Sequence, residues 1–282
     1  MDYQHHSFTL PQFDPLALYQ TFCPQGPGLL ESLNPGPKTG RYSIVPLRWQ
    51  EHYQLRNRSL YRCFSERKEQ LNGEPLALLA EILQQRSVHP TDVTPFPGGF
   101  FGYFGYDLAG QIEQLPQTAV RDLPVPDFDL YWVDLTAVFD HNHQKLSLAS
   151  LDPTIDLRQL EQTIRTSQRP VENAALTIHA LPEPLIEQQQ FESMVQRGKD
   201  YIAAGDIYQV NLSCRFDGEI SGESTELYRR LRALNPSPFA CLFHFPELDI
   251  ISSSPERLVS LNQGIAETRP IAGTRPRGYS TP

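Results

Sequence analysis

The chain has 282 residues, with 24 Lys and Arg against 33 Asp and Glu, a formal net charge of −9. At 39% hydrophobic and 10% aromatic it can build one large core or two medium ones, and its acidity argues against a main task of gripping nucleic acid. No stretch approaches the roughly 18 apolar residues of a membrane-spanning helix, and the start MDYQHHSFTLPQFD lacks the basic and apolar parts of a signal peptide. A soluble, cytoplasmic protein is the expectation.

Residues 1–28 read as loose and turn-rich. Residues 29–47 give an apolar segment, a Pro/Gly turn and a strand, which a second strand near Ser59–Cys63 can join. A helix is predicted over 73–85, where Pro75 suits the first turn and Leu76, Leu79, Ile82 and Leu83 recur at helical spacing. GGFFGYFG (98–105) lacks both GxGxxG and a following Lys-Ser/Thr, so its glycines read as close packing beneath aromatic rings and not as a phosphate loop. Residues 129–150 resemble a hairpin with His141 and His143 exposed at its turn, and 152–168 a polar helix.

The proline-punctuated stretch 171–187 is the predicted linker. Beyond it Phe191, Met194, Val195, Tyr201 and Ile202 mark one face of a helix that Gly205 ends, followed by a strand over Ile207–Phe216. A further helix is predicted over 221–234, with Leu227, Leu231 and Leu234 as its buried stripe, and then short strands at 239–245, 249–254 and 256–262. Hairpins alternating with isolated helices, without regular βα spacing, predict an α+β fold. The expected division is an N-terminal region 1–170 and a C-terminal domain 188–282, although early and late strands can share a sheet. The four cysteines form no CxxC pair and read as reduced thiols, and the histidines show no metal-binding spacing.

Two segments carry candidate chemistry. Glu256 follows Pro255 in ISSSPERL, and ETRPIAGTRPRG (267–278) offers threonine, arginine and backbone donors suited to a small carboxylate. Together with DIYQVNLSCRF (206–216), SSSPERL (252–258) and ETRPIAGTRPRG form an ordered set that resembles component I of the chorismate-utilising enzymes, anthranilate synthase and aminodeoxychorismate synthase. LLES (29–32), GRYS (40–43), the 98–107 block and NPSPF (235–239) match the same family in the same order, so the resemblance covers nearly the whole chain.

The resemblance implies large, mostly antiparallel sheets flanked by helices. It also implies magnesium-dependent replacement of a chorismate hydroxyl by ammonia from a glutamine amidotransferase partner. Glu256 matches the family's general acid/base, a role suited to protonating a departing hydroxide. Gly273 and Thr274 match its chorismate-contacting Gly-Thr pair. Ser32, Pro238, Phe239 and Ala240 match positions that enclose tryptophan, with Ser32 bonding its polar end and Phe239 packing on the indole. The alternative for these four is a domain-contact serine beside a core phenylalanine. The family's magnesium-ligand motifs and catalytic histidine lie beyond PIAGT, so no metal site is expected in this chain, which reads as the first three-fifths of an enzyme, inactive alone. Where many aminodeoxychorismate synthases carry a nucleophilic lysine, this sequence has Ala272, as anthranilate synthases do. The asparagine of YQVNLS and the arginine of SPER point to the aminodeoxychorismate branch, which is favoured. Anthranilate synthase and a non-catalytic ligand-binding module remain the alternatives.

Overall fold

In the computed structural model of the chain, the described residues are all except 35–39, 65–66, 89–93, 117, 119, 168–173, 272 and 274–282. In chain order the first elements are β1 (Gln4–Thr9), α1 (Pro15–Phe22), β2 (Gly28–Glu31), β3 (Tyr42–Arg56), β4 (Ser59–Phe64), β5 (Arg67–Leu71) and α2 (Pro75–Gln85). β6 (Gly99–Phe104) leads through a 3₁₀ turn (Tyr106–Leu108) into α3 (Ala109–Ile112), then β7 (Phe128–Asp140), β8 (Lys145–Ser150) and α4 (Leu157–Ser167). There follow β9 (Thr177–Pro184), α5 (Gln188–Ala204), β10 (Phe216–Ser221), α6 (Ser224–Leu234), β11 (Phe239–Phe245), β12 (Leu248–Ser254), β13 (Ser260–Asn262) and β14 (Ile265–Glu267). This is the expected α+β architecture.

Two compact units divide the chain: residues 1–172 with 228–282, and residues 173–227. The division differs from the expected cut between 1–170 and 188–282, because β11 returns to pair antiparallel with β2. The first unit is built on a ten-stranded sheet in the order β1-β8-β7-β3-β2-β11-β12, with β4 and β5 continuing from β3 and β6 beside β7. Its ladders are antiparallel, so alternate residues of one strand serve opposite faces. Leu135, Ala137 and Phe139 of β7 join Ala240 and Leu242 of β11 in a core with α1 and α4. A register shift that skips Asp134, with Leu135 opposite Arg48 and Val133 opposite Trp49, switches the face of β7, so Tyr131 and Val133 join Cys241, Phe243 and Phe245 in the other. A smaller cluster places Leu79 of α2 against Leu55, Leu60 and Phe128. The four cysteines are free thiols.

Residues 1–28 are more ordered than expected. Asp14 caps α1 by accepting from the Leu16 amide at 3.0 Å, Pro15 occupies the first turn, and Leu16, Leu18 and Tyr19 are buried. The 15-residue β3 is irregular where Pro46 interrupts its pairing with β7, since proline has no amide to donate. Arg48 steadies that stretch with bonds of 3.0 and 2.7 Å to Asp134 and 2.9 Å to Asp152. His143 is exposed as expected, whereas His141 is half-buried and bonds Ser43 Oγ at 2.8 Å.

His52 is buried in β3, stacked at 4.3 Å on Tyr131 and hydrogen-bonded to the carboxylate of buried Asp129. Burial disfavours the imidazolium, yet Asp129 and the facing Cys63 outweigh it and hold the pKa up at about 9. A folded-state pKa above the unfolded value contributes stability below pH 6.5 that is lost as pH rises through 9, on the order of 3 kcal/mol. Thermal melts should therefore fall between pH 6.5 and 9 in the wild type and stay flatter in His52→Gln. Equal slopes in the two proteins would refute this assignment.

In the second unit, α5 forms as predicted and ends on Gly205 at φ +83°, a left-handed conformation that glycine adopts without a Cβ penalty. Its predicted apolar face is in place, but Val195, Tyr201 and Ile202 remain exposed. The strand expected over Ile207–Phe216 is largely irregular, and pairing begins only at Phe216, opposite Pro184 of β9. Apolar alternation is not sufficient here, because a strand needs a partner for its backbone groups. Part of the predicted linker is itself β9, and residues 171–173 lie outside the described residues. On α6 the expected stripe is corrected: Leu234 is exposed, and the buried positions are Glu226 and Tyr228. No helix among the described residues is long and apolar enough to cross a membrane.

Candidate functional site

The end of β2, the start of β3 and the start of β11 enclose a cavity of about 340 Å³ within the first unit. Ser32, Pro238, Phe239 and Ala240, dispersed over two hundred residues of sequence, all line it. They meet because β11 pairs antiparallel with β2, setting Ala240 opposite Glu31. Leu30 and Ile44 add apolar wall, while Arg41, Tyr42 and Arg257 supply polar groups that the sequence reading did not assign to this site.

Ser32 is buried, and its hydroxyl lies 2.7 Å from the Tyr42 carbonyl and 3.1 Å from that of Pro238. Its single proton is thus committed to the protein, leaving lone pairs that accept from a ligand's ammonium group. The Ser32 amide donates to Ser43 Oγ at 3.1 Å. Beneath it Glu31 is 5% exposed. Its carboxylate accepts from Tyr228 Oη at 2.7 Å and from Arg232 at 3.1 Å, and Arg232 also reaches Asp14 at 2.9 Å. Burial pushes the Glu31 pKa up, against the downward pull of Arg232 and Tyr228. Arg41 pairs with Asp140 at 2.7 Å, a bond that raises the arginine's pKa. The same pair, with His143, overcomes partial burial to hold the Asp140 carboxyl at about 2.

The substrate-site residues are placed differently. Glu256 follows β12 on an exposed turn, where Ser254 Oγ donates to its carbonyl at 3.1 Å. The dry pocket that would suit a general acid is not formed around it by the described residues. Gly273 is exposed, with open space where a Cβ would stand. Neither lines the cavity, although Arg257, adjacent to Glu256, does. Thr274 and Ala272 lie outside the described residues. Among the described residues no three His, Cys, Asp or Glu side chains converge to hold a metal. A larger cavity of about 920 Å³, lined by Trp49, His52, Cys63 and Lys68 among others, contains none of the predicted site residues.

The missed polar groups had signals in part. Glu31 and Arg257 sit inside the LLES and SPER motifs, beside residues already singled out. Tyr228 and Arg232 had none, since nothing local marks a helix residue as the partner of a glutamate some two hundred positions earlier.

Residues 46–281 match the family model described as chorismate binding enzyme. An anthranilate synthase component I-like protein of Synechocystis is 40% identical over 65% of this chain, anthranilate synthase component 1 of Pseudomonas aeruginosa 35% over 96%, and aminodeoxychorismate synthase component 1 of Escherichia coli 32% over 76%. The chain spans 38%, 60% and 47% of the lengths of these three relatives. The crystal structure of anthranilate synthase component I from Streptococcus pneumoniae superposes with a TM-score of 0.64 at 28% identity, covering 83% of this chain and 54% of that one. The overall fold is therefore shared with that structure, and the chain belongs to the chorismate binding enzyme family.

Proposed function

We propose that the chain belongs to a synthase component I that aminates chorismate to 4-amino-4-deoxychorismate, using ammonia released by a glutamine amidotransferase partner. The supporting observation is the cavity in which Ser32, Pro238, Phe239 and Ala240 converge within a fold of this family. The cavity is proposed to hold tryptophan, with Ser32 accepting from its ammonium group and Phe239 against the indole. Glu256 is proposed as the general acid that protonates the departing hydroxyl, with Gly273 and Thr274 at the substrate. Magnesium is proposed to be held by residues other than those described. Anthranilate synthesis is the second reading, favoured by Ala272 in place of a lysine nucleophile and by the 35% identity to anthranilate synthase component 1 of Pseudomonas aeruginosa.

The 282 residues alone are proposed to bind ligand without turnover, so the assay needs two proteins: the chain itself, and the chain joined to the C-terminal remainder of the Escherichia coli relative. With chorismate, ammonium and magnesium, the joined protein should form 4-amino-4-deoxychorismate. Anthranilate as the product would transfer the assignment to the second reading. Glu256→Gln in the joined protein should lower kcat by about 10²-fold or more, the scale of a lost general acid, with an unchanged melting temperature. Full activity in that variant would remove Glu256 from the mechanism.

A further inference from the structure

One rung of the large sheet carries side chains that the proposed amination does not use. Cys63 on β4 stands opposite His52 on β3 and Lys68 on β5, and His52 in turn stands opposite Tyr131 on β7. Residues paired across a ladder share a face, so the thiol has a basic side chain on each neighbouring strand. The cavity of about 920 Å³ opens on this rung: Tyr131, His52, Cys63 and Lys68 all line it, and so does Arg67.

His52 is fixed in place. Its ring stacks on Tyr131 and bonds one oxygen of the Asp129 carboxylate. The other oxygen accepts from Gln54 Nε2 at 2.9 Å, and Lys68 Nζ donates to Gln54 Oε1 at 3.1 Å. Nucleophile, base and orienting carboxylate are thus contiguous. Two carboxylates also line the cavity, but both are engaged: Glu51 accepts from Tyr53, Arg62 and Arg86, and Glu247 from Arg56 and Lys68. With its pKa held at about 9, His52 is a cation at neutral pH, and a cation facing a thiol favours the nucleophilic thiolate. The other cysteines lack this setting. Burial pushes the Cys23 thiol up to about 12 and the Cys241 thiol up to about 11. Cys214 is half-buried in the second unit, its sulfur 3.7 Å from the Arg215 carbonyl.

We propose that Cys63, with His52 as its base and Asp129 as the orienting carboxylate, is a covalent modification site for a small disulfide that bears carboxylates. The Cys63 sulfur attacks one sulfur of the disulfide. The disulfide's S–S bond breaks, a new one forms to Cys63, and the other half leaves as a thiolate with the electron pair. The disulfide is the oxidant, one equivalent of thiol is released, and the proton given up by Cys63 is held on His52 against Asp129. Lys68 and Arg67 supply positive charge for the reagent's carboxylates. Cys63 is 8% exposed and on the cavity wall, so the reagent has to fit the cavity. Nothing in this inference depends on which product the synthase makes.

The test uses the 282-residue chain and two probes, oxidised glutathione, which is anionic, and cystamine, which is cationic. Adducts are located and timed by peptide mass spectrometry without reduction, and circular dichroism checks that each variant is folded. At neutral pH oxidised glutathione should modify Cys63 about tenfold or more faster than Cys214. His52→Gln should slow Cys63 about tenfold or more and leave Cys214 within about twofold. It should also turn a flat pH profile into one that climbs toward about pH 8.5, as for an ordinary thiol. Lys68→Gln should slow oxidised glutathione severalfold more than it slows cystamine. Wild-type Cys63 reacting no faster than Cys214, or an unchanged rate in folded His52→Gln, would overturn the proposal. Equal effects of Lys68→Gln on the two probes would overturn the preference for carboxylates. If His52→Gln does not fold, the wild-type pH profile decides, and a rate that climbs like that of an ordinary thiol would overturn the site.

Discussion

Replacing Glu31 by alanine should destabilise the first unit by about 3–5 kcal/mol, the scale for removing one partner of a buried ion pair. Glu31 is 5% exposed, and its two oxygens are the acceptors for Tyr228 Oη and Arg232. Alanine removes the acceptor that the described residues offer the buried Tyr228 hydroxyl and strands much of the Arg232 charge, leaving Asp14 as its carboxylate partner among the described residues. Glu31→Gln should cost less, because the amide oxygen still accepts from one of the two. Urea unfolding monitored by circular dichroism gives both numbers, and a loss below 1 kcal/mol in Glu31→Ala would refute the network's importance. The consequence reaches the cavity: Glu31 precedes Ser32, so tryptophan affinity should fall along with stability.

Gly28→Ala should be at least as damaging. Gly28 sits at φ +109°, and a Cβ there would lie 1.9 Å from the Leu242 carbonyl oxygen. Both the backbone conformation and the space refuse a side chain. The clash falls on the ladder that pairs Gly28 with Phe243 and, three residues on, Glu31 with Ala240. Relief requires β2 and β11 to separate, which would dismantle the cavity wall and the core contact of Leu29 with Leu242. We expect a loss on the order of 3 kcal/mol or more, read as a lower melting temperature with weakened tryptophan binding. A soluble variant with wild-type stability would contradict the β2–β11 register.

Particular residues show why the sequence was informative in some places and silent in others. Pro75 with its leucine repeat, and Gly205 after an amphipathic run, are local signals, and α2 and α5 formed where those signals lay. β7 and β8 likewise follow from strand-forming residues on both sides of a polar turn. Ile207–Phe216 carried an equally clear apolar pattern but remained mostly irregular, because pairing partners are supplied by other segments. Leu234 had the spacing of a buried residue and lies exposed, while Tyr228 on the same helix is buried by its contact with Glu31. Burial depends on what the helix meets, and periodicity only proposes a face.

The candidate site divides along the same line. Composition argued against a main role in nucleic-acid binding, and the ordered motifs pointed to the family, the acid candidate Glu256 and the four cavity residues. Those are properties of residue identity and order, which the linear sequence contains in full. Only the tertiary structure decided that Ser32 cannot donate to a ligand, that Arg257 faces the cavity while Glu256 beside it is exposed, and that residues 228–282 belong with the N-terminal sheet. Each of these turns on which hydrogen-bonding group meets which across a long sequence separation. That is set by strand pairing between β2 and β11, and no local pattern encodes it.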